Sequence, residues 1–205
     1  MPLHPEEVEK LKHAPAVSGV PEIILHRWSP RAFADKEVSG DDLKKIFEAA
    51  RWAASSFNEQ PWRFLVGRRG DATYKKIFES LVEFNQLWAK SAPVLILSIG
   101  KKTFSHNGAA NKYALHDVGA ATAYLGLGAT AAGLHTHSMA GFDSDKARAS
   151  LAIPDDYEIG AVTALGYFGD SATLPEQMRQ TEEAARSRRP LEEIVLSEFD
   201  KPAQF

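Results

Sequence analysis

One stretch, residues 108–133, constrains the fold more than any other, because fourteen of its twenty-six residues are alanine or glycine. Small side chains let a second backbone approach closely, so the stretch predicts a long helix at the centre of the core or at a subunit interface. Within it, residues 118–134 carry no charge, but they are slightly too short and too poor in large apolar residues to span a membrane. The N-terminus is acidic and has no apolar signal core, so we expect a cytoplasmic protein with no membrane partner.

The amino-acid composition and net charge exclude several classes of function. A chain of 205 residues with 44% hydrophobic and 25% charged residues is typical of one globular domain. A formal net charge of −3 offers no basic surface to nucleic acid, so no nucleic-acid partner is expected. The chain contains no cysteine, which excludes disulfides, thiolate metal sites and thiol nucleophiles. Any redox chemistry would therefore need a borrowed cofactor.

The apolar pattern predicts an α+β fold, with helices around a small sheet of four or five strands. Short helical patterns occur near residues 8–12 and 21–26, and capping signals at Ser39, Asp71 and Asp143 begin longer helices that run to about residues 53, 82 and 151. Strands are predicted at residues 62–66, 94–97, 134–140 and 159–168. The second of these is apolar without interruption, which is typical of a strand covered on both faces.

The chain divides into three parts in this interpretation. Residues 1–20 form a polar lead-in, and residues 21–168 form the core. Residues 169–205 form a polar arm with little core of its own, ending in a helix or strand at residues 191–196. We expect the arm to pack on the core or on a partner subunit.

Several familiar site motifs are missing. The sequence has no serine-hydrolase elbow, zinc-protease helix or phosphate-binding P-loop. A loose dinucleotide fingerprint at residues 126–131 lies inside a helical pattern instead of following a strand, so it does not predict a nucleotide site. His135 and His137 would share one face of a strand, but no third ligand has useful spacing, and we predict no metal site.

Two arginine clusters are candidates for anion binding. Arg27, Ser29 and Arg31 alternate along a segment that Pro30 keeps extended, so their side chains can point to one side. Two guanidiniums and a hydroxyl suit an anion with several oxygens, such as a phosphate with a neighbouring polyol. A solvated surface strip is the alternative. A second cluster occupies the C-terminal arm and would by itself be explained as a solvated tail; its members are Arg186, Arg188 and Arg189.

A polar loop at residues 54–61 is the third candidate. It reads Ala-Ser-Ser-Phe-Asn-Glu-Gln-Pro and lies between a predicted helix and a predicted strand. Its hydroxyl and amide groups can hydrogen-bond a polar heterocycle or a ribityl chain. A simple capping loop is the alternative interpretation.

Together these motifs resemble the FMN-dependent nitroreductase family. The resemblance rests on Arg-x-Ser-x-Arg-x-Phe from Arg27, on Ser-Ser-x-Asn-x-Gln-Pro-Trp from Ser55, on the alanine- and glycine-rich helix and on Gly-Phe-Asp from Gly141. It covers roughly residues 21–196. It implies an intertwined α+β homodimer with a small, mainly antiparallel central sheet and two FMN sites at the subunit interface.

The resemblance also implies a reaction and the residues that support it. NADPH or NADH would pass a hydride to flavin N5 and leave, and an electron-poor acceptor (a nitroaromatic, quinone or enone) would then take its place. Arg31 would reach the N1–C2=O edge, where a fixed cation stabilises the charge of reduced flavin. No side chain would act as an obligatory acid or base. The implied FMN-binding residues are Arg27, Trp28, Ser29, Arg31, Ala54, Ser55, Ser56, Asn58, Asn85, Met139, Ala140, Gly141, Arg186 and Arg188.

Within that set the roles differ. Arg27, Trp28 and Ser29 would hold the phosphate and ribityl chain, joined by Arg186 and Arg188 from the arm. Ser55, Ser56 and Asn58 would come from the partner subunit. Asn85 would lie near the pyrimidine ring of the flavin. A backbone N–H at residue 140 or 141 would donate to N5. The family often has Pro-x-Glu-Gly here, whereas this chain reads Ser-Met-Ala-Gly, which leaves the electron donor and the substrate pocket open.

Two other functions remain open. Some members of the family perform other flavin chemistry, such as reductive dehalogenation or flavin breakdown, but they usually carry extra lid segments for which this chain has little room. A different class is a non-enzymatic dimer that binds a phosphorylated metabolite. That protein would show no flavin absorbance and no turnover with NADPH.

Overall fold

The computed structural model describes residues 2–17 and 19–204. Its helices are α1 (Pro5–Lys12), α2 (Glu22–His26), α3 (Gly40–Arg51), α4 (Ala72–Ser80), α5 (Glu83–Ala89), α6 (Ala114–Ala131), α7 (Ser144–Leu151) and α8 (Glu176–Glu182). Its strands are β1 (Trp62–Arg68), β2 (Val94–Lys101), β3 (His135–Met139), β4 (Tyr157–Gly166), β5 (Leu196–Glu198) and β6 (Lys201–Pro202). No helix in the described ranges is both long enough and apolar enough to cross a membrane.

The main sheet has the strand order β1-β2-β4-β3, and every neighbouring pair is antiparallel. Strand β2 lies inside it and is buried from Val94 to Gly100. Leu95 and Leu97 pack in the cluster that includes α4 and α7 residues, whereas Val94 and Ile96 pack in the cluster that includes α3 and α6 residues. This alternation confirms the prediction of a strand covered on both faces and of an α+β fold with helices around an antiparallel sheet.

The alanine- and glycine-rich stretch forms α6, which packs against α3 and the sheet. A Cβ atom built on Gly128 would lie 2.8 Å from the Cβ of Ala49 and 3.5 Å from the Cα of Ile46. Real side chains avoid such a distance, so the glycine is what allows the two helices to lie this close. The predicted close approach of a second backbone is therefore confirmed.

The predicted helix that began at Asp71 was extended too far. It ends at Ser80, because the backbone of Leu81 forms a bridge with Phe142 and the Val82 N–H donates to the Gly141 carbonyl at 3.1 Å. A separate helix, α5, then begins, and the sequence pattern missed it. The apolar spacing at residues 78–82 looks helical, but a contact with residues 60 positions away decides the backbone.

Both chain ends contribute to the same side of the core. In α1, Val8 is fully buried, and the Lys12 amine donates to the Thr181 carbonyl at 3.0 Å. In the C-terminal arm, Leu174 and Met178 join the main hydrophobic cluster. Leu174 precedes α8 and Met178 lies on it. The sequence analysis did not predict this helix. Residues 187–202 are exposed.

Candidate functional site

A pocket of about 590 Å³ lies where the two arginine clusters meet, within the size range of small-molecule sites. We call it the arginine pocket; it is lined by Ala14, Pro15, Ile24, Leu25, Arg27, Arg186, Ser187 and Arg188. Arg186 donates to the carbonyls of Arg27, at 2.6 Å, and Leu25. These bonds fix the arm against the segment that follows α2. The Arg27 guanidinium donates to the Ser29 hydroxyl at 3.3 Å, so these two side chains lie together as predicted.

The pocket concentrates positive charge. Burial lowers the pKa of Arg27 and of Arg186, and the other guanidiniums of the pocket lower it further. Across the described ranges, no carboxylate forms an ion pair with Arg27, Arg186 or Arg188. The buried Nε of Arg186 has no hydrogen-bond partner there either. Like charges held together without a counter-ion suit a multiply charged anion.

The backbone on either side of Arg31 is held by a buried carboxyl group and a partly buried imidazole. Glu182 is 1% exposed, and its Oε1 accepts from the N–H of Arg31 at 2.6 Å and of Ala32 at 2.9 Å. Burial raises the pKa of this carboxyl. On the other side, His137 Nδ1 lies 2.9 Å from the Pro30 carbonyl oxygen. Since that oxygen only accepts, Nδ1 carries the proton.

His137 is neutral at pH 7, because burial lowers its pKa to about 4. The side chain of Arg31 keeps a buried Nε–H that finds no acceptor in the part of the chain that the structure describes. Its backbone is therefore fixed while its guanidinium retains hydrogen-bonding capacity. We call residues 27–32, with these two partners, the clamped segment.

A chain of contacts joins the clamped segment to the turn after β3. The ring centroids of His137 and Trp88 are 4.6 Å apart, and Trp88 Nε1 donates to Asn85 Oδ1 at 3.3 Å. The Asn85 amide donates to the Gly141 carbonyl at 2.9 Å. A Cβ atom at Gly141 would lie 2.7 Å from that amide nitrogen, so glycine leaves room for the bond. Met139 is buried, whereas Ala140 is exposed.

The 54–60 loop lies elsewhere in the chain. The Ser56 N–H donates to the buried Asp117 carboxylate at 3.0 Å, in the first turn of α6. Arg27 approaches the same helix nine residues later, with its Cδ 3.9 Å from the place of a Cβ on Gly126. At a rise of 1.5 Å per residue the two points are about 13 Å apart along the helix axis. One chain alone thus gathers two of the predicted groups and leaves the loop apart.

Comparisons with known proteins agree with this geometry. The family model described as the nitroreductase family matches residues 24–86 and 68–167. The chain belongs to the nitroreductase family. A NADH dehydrogenase from Thermus thermophilus is 31% identical over 204 residues, with 84% of this chain and 92% of that protein covered.

Solved structures share the nitroreductase-family fold. One, described as an oxidoreductase containing FMN, is 34% identical with a TM-score of 0.84, and covers 90% of this chain and 94% of its own. An FMN-dependent nitroreductase from Clostridium difficile is 26% identical with a TM-score of 0.58, and the match covers 69% and 83% of the two chains. The resemblance stated from the motifs is confirmed, and this chain is a nitroreductase-family oxidoreductase by its sequence and fold.

Within this nitroreductase-family fold, the side chain of Trp28 is buried, unlike those of Arg27 and Ser29. Its side chain is 4% exposed and meets His135 and Phe168 edge-on, at ring-centroid distances of 5.6 and 5.0 Å. The indole belongs to the core, so only the backbone of this residue is free to face a ligand.

Sequence reasoning missed the residues that hold the site in place. Glu182 lies in a charged run that looks solvated, and Trp88 lies on a helix that was not predicted. No local signal marks either one, because their contacts join distant parts of the chain. A group formed by His13, Glu22 and His26 was also missed; the four-residue spacing between the last two was the available signal.

Proposed function

We propose that this protein is an FMN-dependent NAD(P)H oxidoreductase that acts as a homodimer and reduces small electron-poor acceptors such as nitroaromatics, quinones or enones. The observation that carries the proposal is the arginine pocket, where Arg27, Arg186 and Arg188 meet and no carboxylate of the described residues is among the lining side chains. The names of similar proteins, a NADH dehydrogenase and an FMN-containing oxidoreductase, support the same reading.

The residues present fit FMN. A phosphate dianion would neutralise the arginine pocket and give the unpartnered Nε of Arg186 an acceptor. Ser29, which already accepts from Arg27, would hold the ribityl chain together with the backbone at Trp28. Charge-assisted hydrogen bonds of this kind contribute about 1.5–3 kcal/mol each.

Arg31 would support the pyrimidine end of the same cofactor. When bound, FMN supplies the capacity to accept and hand on a hydride, and the chain's part is to place and polarise it. A guanidinium fixed at the N1–C2=O edge favours the more negative form without itself moving a proton. Glu182 and His137 keep its backbone in place. Asn85 and the backbone of residues 139–141, which are joined to this region through Trp88, would line the edge near N5.

Support for the homodimer comes from groups that one chain leaves apart and exposed. The 54–60 loop does not reach the arginine pocket of its own chain, and its Phe57 is 83% exposed. On α6, Leu115 and Tyr124 are 44% and 46% exposed, and Trp52 at the end of α3 is 72% exposed. Exposed apolar groups of this size suit a second copy of the chain. Ala54, Ser55, Ser56 and Asn58 would then complete the partner's site.

The test is FMN binding followed by turnover. We expect flavin-free protein to take up one FMN per chain, with absorbance bands that bleach under NADPH or NADH without oxygen. Arg27→Ala should weaken FMN binding by about 10–100-fold, the loss of one charge-assisted contact. Arg69→Ala, at an exposed arginine paired with Asp35, is the matched control and should bind FMN like the wild type.

Two results would contradict the proposal. A wild-type chain that binds no flavin and consumes no nicotinamide would favour a non-enzymatic binder of phosphorylated metabolites, which inorganic phosphate or a nucleoside monophosphate would then stabilise. Equal FMN affinity in the Arg27→Ala and Arg69→Ala variants would show that the phosphate is held elsewhere.

A further inference from the structure

A cluster of metal-ligand side chains lies outside the proposed flavin site. His13 is the residue that ends α1, and Glu22 and His26 are the first and last residues of α2. Their ligand atoms all lie within 4.8 Å of one another. The Glu22 carboxylate oxygen Oε2 is 3.0 Å from His13 Nε2 and 3.3 Å from His26 Nε2. The three side chains thus converge on one point from two helices.

These distances match a known coordination geometry. With metal–ligand bonds of about 2.0–2.1 Å, the edges of a tetrahedron around zinc are about 3.3 Å long. Glu22 and His26 are four residues apart on one helix, which puts them on the same face, and the rings of His13 and His26 are held edge-to-face with centroids 4.1 Å apart. An ion could enter between the ligand atoms with only small side-chain movements.

A second histidine–carboxylate pair borders the same place. A cavity of about 170 Å³ is lined by Glu9, His13, His26 and His135. The His135 ring nitrogen Nε2 is 3.0 Å from the Glu9 carboxylate, while its buried Nδ1 has no partner in the described residues. A polar cavity of this size suits an ordered water beside the cluster.

We propose that His13, Glu22 and His26 bind one divalent transition-metal ion of the zinc class. Two neutral imidazoles and one carboxylate form a ligand set that zinc accepts, with the fourth position left to water from the adjoining cavity. Both imidazoles must present the Nε2 lone pair to the ion, so each carries its proton on Nδ1. Binding is therefore favoured when the histidines are neutral.

The ion would have a structural role. It joins the end of α1 to both ends of α2, and His26 directly precedes Arg27. The carbonyls of Leu25 and Arg27 accept from Arg186, so α2 and the residue after it carry two of the three metal ligands and part of the wall of the arginine pocket. A bound ion would hold that helix in place whether or not a flavin is present.

Zinc binding to the tag-free chain tests the proposal. After removal of metals with a chelator, Zn²⁺ is titrated in competition with a chromophoric indicator, and melting is followed with and without the ion. We expect one zinc per chain at micromolar or lower free concentration and a higher Tm with zinc. His26→Gln and His13→Gln should each weaken binding by at least about 10-fold and abolish the Tm shift, because each removes a ligand.

The control is His116→Gln, at a histidine whose side chain is 81% exposed and that belongs to no such cluster within residues 2–17 and 19–204. It should bind zinc like the wild type. Glu22→Gln provides a further ligand variant, and circular dichroism confirms that each protein is folded before titration. No zinc uptake by the wild type, or equal affinity in His26→Gln and His116→Gln, would overturn the site.

Discussion

The clamped segment and the 54–60 loop are both proposed to contact the flavin, but their backbones are held in different ways. In the clamped segment, the backbone beside Arg31 is held by Glu182 and His137 of the same chain. In the loop, Phe57, Asn58 and Gln60 have positive φ angles of 53°, 55° and 50°. The contacts that hold the clamped segment are complete within one chain, whereas the 54–60 loop has a defined backbone shape but stays partly exposed.

The two regions also differ in the energetic cost of their backbone conformations. A left-handed backbone at a non-glycine residue costs roughly 1–2 kcal/mol, and such conformations persist only where other bonds enforce them. Here the Ser56 N–H is held by Asp117 and the Gln60 N–H by the Ser55 hydroxyl. The loop therefore spends stability on its shape, as the proposed partner site would require.

The largest effect is expected at Glu182. Glu182→Ala leaves the N–H groups of Arg31 and Ala32 buried without an acceptor, and each such loss costs about 1–3 kcal/mol. We expect the free energy of unfolding to fall by roughly 3 kcal/mol or more, measured by urea denaturation. Glu176→Ala is the matched control on the same helix, since that side chain is 76% exposed, and it should change stability little. Similar small losses in both variants would show that the clamp contributes nothing.

A mixing experiment addresses the other half of the site. If the loop serves the partner, Arg27→Ala and Asn58→Ala impair opposite contributors to each site. A mixed dimer then contains one doubly altered site and one intact site. Random exchange of equal amounts would restore about a quarter of the sites, measured as bound FMN at a concentration where neither variant alone binds. Failure to restore binding, although subunit exchange is shown by mass spectrometry, would place both residues in one chain's site.

The smallest expected effect is a pH dependence. Burial raises the folded-state pKa of Glu182, so its contribution to stability is full below the unfolded pKa and is lost as the pH rises through the folded value. Glu182→Gln keeps an acceptor for both N–H groups but does not titrate. The stability of the wild type relative to Glu182→Gln should therefore increase as the pH falls from about 8 toward about 4.5. Urea titrations across this range check it, and parallel curves for the two proteins would contradict it.

Local patterns in the sequence predicted much of the fold. The uninterrupted apolar run in β2 and the small residues of α6 report on packing that each element needs for itself, and both predictions are confirmed. The helix predicted from Asp71 was extended too far because the pairing of Leu81 with Phe142 overrides a helical pattern, and helix α5 beyond that break was missed. Helix α8 was missed because its apolar residues are few among charges.

The candidate site divides in the same way. The motifs at Arg27 and Ser55 were visible as dense local groups of polar side chains. Glu182 was not, because a glutamate followed by another glutamate is typical of a solvated surface. Only its long-range bonds to the backbone of Arg31 and Ala32 distinguish it.

The arginine pocket joins residues that are far apart in the chain, and this has a consequence for how the protein is made. Arg186 and Glu182 meet their backbone partners across about 150 to 160 positions of sequence. While a ribosome is still translating the central sheet, Arg27 and Arg31 have already emerged without the groups that hold them. Long-range contacts of this kind form late in folding. If the arginine pocket binds an anion as proposed, a nascent chain would lack a complete site until residue 186 has left the exit tunnel.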